Sequence, residues 1–376
     1  MELATTLTTQ TVRNAIREVG INPNYWYAVG WSEDLKPGAV TAVTVWKQAI
    51  ALYRTTDGQL FALEDACPHR GIALHKGRVQ GCNLACAYHG WEFDGSGVCV
   101  NIPYVPSGQK LPSAQARSYP VQEKYGVMWL FPGDAALAET TPLIDIPEFG
   151  NENLLMIPIT GHFKAHFSIC NENAMDVFHG FLHEELQGWF DPVLIHLKET
   201  EDAVLAAYNV SYKGQMAKFL GLSKDAHSVT TLPIAIEYRY PNYFTSLEGI
   251  SSLYLMRSPV GPQESRSFAL FFFRVQLPSW LLKLVRPVLV PMLQRFVLNR
   301  FLAQDIEMME SEQRTYTENS TRRYLEINPA IIALQRFTLR QYEKYAAQAS
   351  SSGSASSVES APSSVLLGHD SRPQTD

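Results

Sequence analysis

The stretch Cys67-Pro68-His69-Arg70-Gly71, followed by Cys86-Ala87-Tyr88-His89-Gly90-Trp91, decides the fold of the N-terminal part of this chain. Each segment offers one thiolate and one imidazole, and sixteen residues separate His69 from Cys86. A [2Fe–2S] cluster can bind two cysteines on one iron and two histidines on the other, which raises its potential because neutral imidazole replaces anionic thiolate. The motif therefore predicts such a cluster, held by Cys67, His69, Cys86 and His89.

A structural zinc site, or cysteines simply buried in turns, is the alternative interpretation of these residues. Zinc accepts two cysteines and two histidines, but its usual spacing puts two cysteines in one half and two histidines in the other. Here each half pairs one cysteine with one histidine. Cys82 has no histidine three residues after it, so we predict that Cys82, like Cys99 and Cys170, is not a ligand.

Short runs of β-branched and aromatic residues, broken by Gly, Pro and Asp, surround the motif as far as about residue 132. This texture is typical of a small antiparallel β domain. We predict four parts: a leader at 1–22, the cluster domain at 23–132, a second domain at 133–348 and a tail at 349–376. The tail is rich in Ser, Ala, Gly and Pro, so we expect it to be disordered.

A second candidate site lies in a predicted helix over 171–189. Polar residues recur there at steps of three, three and four, which places them on one helical face; they are Asn173, Asp176, His179 and His183. The residues between them are mostly apolar, so we predict that this stripe is buried and needs partners. A metal ion is the simplest partner for two histidines one turn apart. The competing interpretation is an amphipathic helix whose histidines are satisfied core residues.

Fe(II) held by two histidines and one carboxylate keeps open positions for dioxygen. The residues alone leave the carboxylate open, with Asp176 as the nearest candidate.

Together these motifs resemble the Rieske non-haem iron oxygenases, the family of the ring-hydroxylating oxygenase alpha-subunits, and the run Asn24-Tyr25-Trp26-Tyr27 is similar to the start of that family's first domain. The resemblance implies an α+β fold, in which an N-terminal antiparallel β Rieske domain precedes a catalytic domain of helices on an antiparallel sheet, a helix-grip-like arrangement. It also implies roles for two aspartates. Asp305 opens a segment similar to the family's D-x4-E-x2-Q and would be the third iron ligand, with Glu307 as the alternative. Asp176 would bridge His179 to His89 of a neighbouring subunit.

The same resemblance implies a function. The protein would be a terminal oxygenase that receives electrons from a ferredoxin or flavin reductase, uses O2 and forms a homotrimer. We expect monooxygenation, by hydroxylation or demethylation of a small hydrophobic ring compound, as in vanillate-demethylase, pheophorbide a oxygenase and carbazole types. Pheophorbide-type proteins carry a C-terminal C-x2-C pair, whereas this chain has no cysteine after Cys170. The alternatives are a cis-dihydroxylating dioxygenase and a Rieske electron-transfer protein without oxygenase chemistry.

Composition agrees with a folded enzyme. Apolar residues make up 46 % of the 376 residues, and the net charge of −6 lacks the basic footprint of a nucleic-acid-binding protein. The five cysteines are an odd number and suit a reducing compartment better than a disulfide framework. Because the first residues contain no apolar signal-peptide core, we expect a cytoplasmic location.

The stretch 277–302 is strongly apolar, and all of its charges are basic: Lys283, Arg286, Arg295 and Arg300. This pattern fits a helix that lies on a membrane surface. It also fits an ordinary lid or core helix over the active site. The sequence leaves both predictions open.

Overall fold

The computed structural model describes residues 15–183, 189–214, 218, 225, 227–275, 277–320, 322 and 324–351. Eighteen strands in these ranges form four sheets, and every strand pairing within the sheets is antiparallel. Long helices follow the last strand. The predicted α+β class, with an N-terminal β part and a later part of helices on a sheet, is confirmed.

Three small sheets make up the N-terminal part and hold the two Cys–His loops. Their strand orders are β1-β11-β10, β2-β3-β4-β9 and β5-β6-β7-β8. The loop at 67–71 follows β4, and the loop at 86–91 joins β6 to β7. The strands are β1 (Tyr27–Trp31), β2 (Val40–Val45), β3 (Gln48–Arg54), β4 (Leu60–Glu64), β5 (Arg78–Gln80), β6 (Asn83–Ala85), β7 (Glu92–Phe93), β8 (Cys99–Asn101), β9 (Ser118–Tyr119), β10 (Val121–Lys124) and β11 (Val127–Leu130).

A seven-stranded sheet with the order β12-β18-β17-β16-β15-β14-β13 forms the base of the C-terminal part. Its strands alternate between two faces, so one face can support helices while the other packs on the N-terminal sheets. The strands are β12 (Leu154–Phe163), β13 (Trp189–Glu199), β14 (Ala203–Tyr212), β15 (Thr230–Arg239), β16 (Asn242–Leu247), β17 (Ser251–Gly261) and β18 (Glu264–Arg274).

Four helices accompany this sheet: α1 (Phe167–Met175), α2 (Ser279–Leu293), α3 (Asn299–Glu318) and α4 (Pro329–Ser351). A π-helical turn, Gln294–Leu298, joins α2 to α3, so that residues 279–318 form one continuous helical segment. Residues 349–351, which we assigned to the tail, are the end of α4, and the rest of that tail lies outside the described residues.

The helix predicted over 171–189 is wrong in its extent. The helix α1 ends at Met175, and Asp176 has an extended backbone with φ −83° and ψ 115°. The Asp176 Oδ1 then accepts a hydrogen bond from the Phe178 N–H at 2.9 Å, which starts a 3₁₀ turn, Phe178–His183. An aspartate side chain that satisfies a nearby N–H competes with helix propagation, so the polar stripe is split between two elements.

The two parts of the molecule share a core. Trp129 and Phe131, from the N-terminal part, lie in one buried cluster with Met256 and Phe272 of the seven-stranded sheet. Most of residues 15–22 are also buried, and the Arg17 side chain donates to both carboxylate oxygens of Glu172 at 2.6 and 2.7 Å. Among the residues that the structure describes, none of the helices combines the length and the apolar composition of a transmembrane span.

Candidate metal centres

The two Cys–His loops have the same backbone geometry. The N–H of Cys67 donates to the carbonyl of Ile72, and the N–H of Cys86 donates to that of Trp91, at 2.8 Å in both loops. Each bond spans five residues and curls the backbone around the cysteine. Such loops turn backbone N–H groups towards the enclosed sulfur, which is how iron–sulfur ligands are stabilised.

Glycine closes each loop for a conformational reason. Gly71 and Gly90 have φ values of +69° and +70°, in the left-handed region that glycine adopts without steric cost. Their N–H groups return to the carbonyls of Cys67 and Cys86 at 2.7 and 3.0 Å. A Cβ on Gly71 would meet nothing within 4 Å, so the turn, rather than crowding by other protein atoms, requires glycine there.

The four side chains of this site differ in burial. Cys67 and Cys86 are 3 % and 2 % exposed, whereas His69 and His89 are only half-buried. The two imidazole ring centroids lie 4.7 Å apart, and Trp91 stacks on His69 at 4.6 Å. The thiolates thus face the interior and the imidazoles the surface. This arrangement fits a cluster with its cysteine-bound iron inside and its histidine-bound iron outside.

Burial also affects the protonation of these ligands. It raises the pKa of the Cys67 thiol to about 11. The neighbouring Cys86 also raises this pKa, whereas hydrogen bonds from the backbone N–H groups of His69 and Arg70 lower it. Burial and the charges of His89 and Arg70 lower the pKa of His69, so its imidazole is neutral at neutral pH. Cluster binding would displace these thiol protons into solvent, as is usual for cysteine ligands.

The second candidate centre joins residues that are far apart in the chain. The Oδ1 of Asp305 lies 3.0 Å from the Nε2 of His183 and 3.7 Å from that of His179. One ligand atom from each of the three residues lies within 4.8 Å of the others. The side chain of Asp305 is 9 % exposed, that of His183 is 0 % exposed and that of His179 is 20 % exposed. Glu307, the alternative to Asp305, is exposed and two residues further along α3.

The hydrogen bonds of His183 fit a cation at this centre. Its Nδ1 lies 2.9 Å from Gln304 Oε1, and its Nε2 faces Asp305. A neutral imidazole has one N–H, so it can donate to only one of these two oxygens. If Nδ1–H donates to Gln304, Nε2 presents a lone pair to a carboxylate, which is repulsive unless a cation lies between them. Burial lowers the pKa of the neighbouring His179, against the raising effect of Asp305, and keeps that ring neutral as metal binding requires.

Asp176 lies beside this centre at the end of α1. Its Oδ1 accepts hydrogen bonds from Phe178 N–H and from the amide of Asn328, at 2.9 and 3.1 Å. The Nδ1 of His179 is buried and has no hydrogen-bond partner. The structure therefore places Asp176 near His179 without the bridging hydrogen bond that the resemblance implies.

The α3 segment anchors the third candidate ligand. Glu310 Oε1 accepts from the Lys164 N–H at 3.0 Å, and Gln313 Oε1 accepts from the His166 N–H at 2.8 Å. Both acceptors hold α3 against the connection between β12 and α1. The D-x4-E-x2-Q pattern thus combines a carboxylate at the centre with two side chains that fix its helix.

Known proteins resemble this chain in sequence and in structure. Residues 25–120 match the family model of the Rieske [2Fe-2S] domain. A 4beta-methylsterol monooxygenase of Methylococcus capsulatus is 35 % identical over 340 residues, which cover 89 % of this chain and 92 % of that protein. The chain belongs to the Rieske non-haem iron oxygenases.

Further relatives of this Rieske oxygenase are similar over shorter stretches or in fold. The oxygenase component of a dicamba O-demethylase from Stenotrophomonas maltophilia is 36 % identical over 159 residues, or 42 % of this chain and 45 % of that protein. The crystal structure of dicamba monooxygenase bound to 3,6-dichlorosalicylic acid superposes with a TM-score of 0.72 at 24 % identity, over 87 % of this chain and 99 % of that chain.

The family assignment determines the class of chemistry. The protein is an oxidoreductase that uses O2 and externally supplied electrons, and its cofactors are a Rieske [2Fe–2S] cluster and a non-haem iron. The named relatives are monooxygenases, which favours our main prediction over an electron carrier or a dioxygenase.

The oxygenase has a cavity of about 340 Å³ between the seven-stranded sheet and the helices α1 and α3. Its wall includes His179 and Asp305, and most of the rest is apolar. Arg257 is the cationic side chain in the wall; it is 3 % exposed and donates to the Cys170 carbonyl at 2.8 Å. Its Nη1 has no hydrogen-bond partner.

Sequence reasoning missed several residues around the iron centre. Gln304 bonds His183, and the side chain of Asn173 donates to Asp305 at 3.3 Å, although we had placed Asn173 only in the polar stripe. Phe301 stacks on His183 at 3.7 Å. A Cβ on Gly180 would lie 1.1 Å from Trp189 Nε1, so only glycine fits between the two histidines. The position of Gln304 next to Asp305 in the sequence could have indicated its role. The contacts of Asn173 and Phe301 with residues of other elements have no signature in the local sequence.

Proposed function

We propose that this Rieske oxygenase oxidises a C–H bond of a hydrophobic, ring-containing molecule bound in the cavity. One oxygen atom of O2 enters the C–H bond and the other leaves as water, with two electrons and two protons consumed. The electrons come from a separate ferredoxin or flavin reductase. The observation that carries this proposal is an apolar cavity whose wall includes two residues of the candidate iron centre, His179 and Asp305.

We assign the iron to His179, His183 and Asp305, and the cluster to Cys67, His69, Cys86 and His89. Iron bound by two histidines and a carboxylate supplies O2 activation. The protein's own residues do the rest. Gln304 orients His183 through Nδ1, Asn173 orients Asp305, and apolar side chains exclude water from the reacting C–H bond.

We assign to Asp176 the transfer of electrons from the cluster of a neighbouring subunit. Three features support this role: Asp176 is only partly buried, it lies beside the partnerless Nδ1 of His179, and His89 reaches the surface of the Rieske domain. A head-to-tail ring would bring these surfaces together, and a homotrimer is the assembly that we propose.

The substrate class follows from the cavity and from similarity. The sheet supplies apolar side chains such as Ile159, Leu253 and Phe271 to the cavity wall. The methylsterol monooxygenase named above is similar over nearly its whole length, so oxidation of a ring methyl group on a polycyclic lipid is the first reaction to test. Arg257 would hold an oxygen atom of such a substrate, since its Nη1 lacks an acceptor.

Two measurements test this function. Nitric oxide added to the anaerobically reduced protein should give the EPR signal of a ferrous–nitrosyl centre separate from the cluster. With a reductase, ¹⁸O₂ and a panel of methylsterols and substituted benzoates, a methylsterol should give a product with one labelled oxygen. Turnover of the benzoates alone would overturn the polycyclic lipid as substrate, and absence of the nitrosyl signal in iron-replete protein would overturn the iron assignment.

A further inference from the structure

The outer face of α2 and of the π-turn after it carries an unusual apolar stripe. Five residues at successive steps of four point outward with exposed fractions of 67, 70, 73, 46 and 62 %; they are Trp280, Leu284, Val288, Met292 and Phe296. We call them the outer stripe. Scattered exposed apolar residues are ordinary on a protein surface, but a continuous row of large ones marks a site of interaction.

The opposite face of the same helix is already used. Leu282 is buried, and with Val285 and Leu289 it packs on Leu155 and Ile157 of β12. The helix therefore does not need the outer stripe for its attachment to the sheet. The sequence left open whether this helix is a core helix or a membrane-surface helix, and the two predictions describe different faces of it. The inner face packs in the core, and the outer stripe is unpartnered in the described part of the chain.

The charges around the outer stripe indicate its partner. From residue 275 to residue 304 the chain has no Asp or Glu, and its four charged residues are basic, although the whole chain has a net charge of −6. Arg286, Arg295 and Arg300 are exposed, and Lys283 pairs with the exposed Glu152 at 2.5 Å. A row of apolar side chains flanked by cations complements a surface of anionic headgroups over acyl chains.

The helical segment that carries the outer stripe also contributes to the cavity wall. Phe296 ends the stripe, and the same helical segment then supplies Leu298, Phe301 and Leu302 to the cavity wall and Asp305 to the iron centre. One helical segment thus links the exposed stripe to the apolar wall beside the candidate iron centre.

We propose that the outer stripe docks this oxygenase on the surface of an anionic lipid bilayer, from which its substrate enters the cavity. The docking stands on the stripe and its charges; the delivery of substrate rests on the proposed function. The surface is one on which the helix lies, with the aromatic and aliphatic side chains inserted below the headgroups.

Flotation of the iron-replete holoenzyme with vesicles tests the docking. Vesicles of equal parts phosphatidylcholine and phosphatidylglycerol should bind the enzyme at low salt, and vesicles of phosphatidylcholine alone should bind it more weakly. A double variant, Trp280→Ser with Leu284→Ser, should bind at least about 100-fold more weakly, because two large side chains no longer leave water. The matched control is Val193→Ser with Ile195→Ser on β13, where Val193 is 53 % and Ile195 is 52 % exposed. This control variant should bind vesicles as the wild type does.

Other outcomes would overturn the docking. One is a wild-type enzyme that fails to float at low salt; another is equal weakening in the β13 control. If the wild type binds no vesicles and the double variant has a different oligomeric state in sedimentation, the stripe is a contact between copies of the chain. Substrate delivered from cyclodextrin should be oxidised equally by wild type and double variant, whereas vesicle-embedded substrate should show a raised KM in the variant. No turnover in either form would reject the substrate and leave the vesicle result standing.

Discussion

The replacement of Asp305 by asparagine separates iron binding from folding. Asp305 is buried, and its Oδ1 faces His183 Nε2 at 3.0 Å and His179 Nε2 at 3.7 Å. An amide has nearly the same size, and its oxygen can still accept the hydrogen bond from Asn173. Asp305→Asn should therefore keep the packing of α3 and lose only the negative charge that faces the metal.

The loss of iron affinity in this variant should be large. Removal of a group that merely orients a ligand costs 10- to 100-fold in metal affinity, so removal of a ligand charge should cost at least about 100-fold, or about 2.7 kcal/mol. At micromolar iron, the content should fall from about three irons to about two per chain while acid-labile sulfide stays at about two.

Iron and sulfide analysis, the nitrosyl EPR signal and the thermal unfolding midpoint measure these effects on one preparation. Glu307→Gln is the matched control, since it removes the same charge from an exposed position on the same helix. The reasoning is refuted if Asp305→Asn retains the third iron and wild-type turnover, or if Glu307→Gln is the variant that loses them. A lowered midpoint with the iron retained would show that the carboxylate serves packing instead.

Three further predictions concern the same region. Asp176→Asn should keep both metal centres and lose at least about 10-fold in turnover, because an amide keeps the local hydrogen bonds without the charge; wild-type turnover would remove Asp176 from electron transfer. Arg17→Met should lower the free energy of unfolding by about 3–5 kcal/mol in urea, since it leaves the Glu172 carboxylate buried without its partner; a loss below about 1 kcal/mol would contradict this. Burial and the charge of Arg17 lower the pKa of His166 from 6.5 to about 3. Between these two pKa values the His166 imidazole is protonated in the unfolded chain but neutral in the folded protein, so the free energy of unfolding falls as the pH drops below 6.5. His166→Asn, which can still cap α1 at Ser168, should reduce that slope by about 1.4 kcal/mol per pH unit; unchanged slopes in pH-dependent urea unfolding would refute this cause.

The extent of the helix after residue 171 shows where pattern reasoning fails. Steps of three and four matched a continuous helix, yet the side chain of Asp176 competes for a backbone N–H and Trp189 packs on Gly180. His179 and His183 therefore lie on a 3₁₀ turn. They still converge, with ring centroids 5.2 Å apart, although a 3₁₀ turn of three residues per turn does not place positions i and i+4 on one face.

The sequence by itself determined the cluster motif, because each Cys–His pair belongs to one tight loop whose backbone bonds span five residues or fewer. For the candidate iron centre, the resemblance suggested Asp305, but only the tertiary structure decided that it meets the two histidines. Asp305 lies 122 residues from His183, and only the packing of α3 against α1 and β12 brings the two within 3.0 Å. The tertiary structure also decided which face of α2 is exposed. The sequence of α2 has apolar residues on two faces, and packing on the sheet buries only one of them. Local chemistry can be inferred from spacing, whereas contacts between distant elements depend on how their surfaces pack.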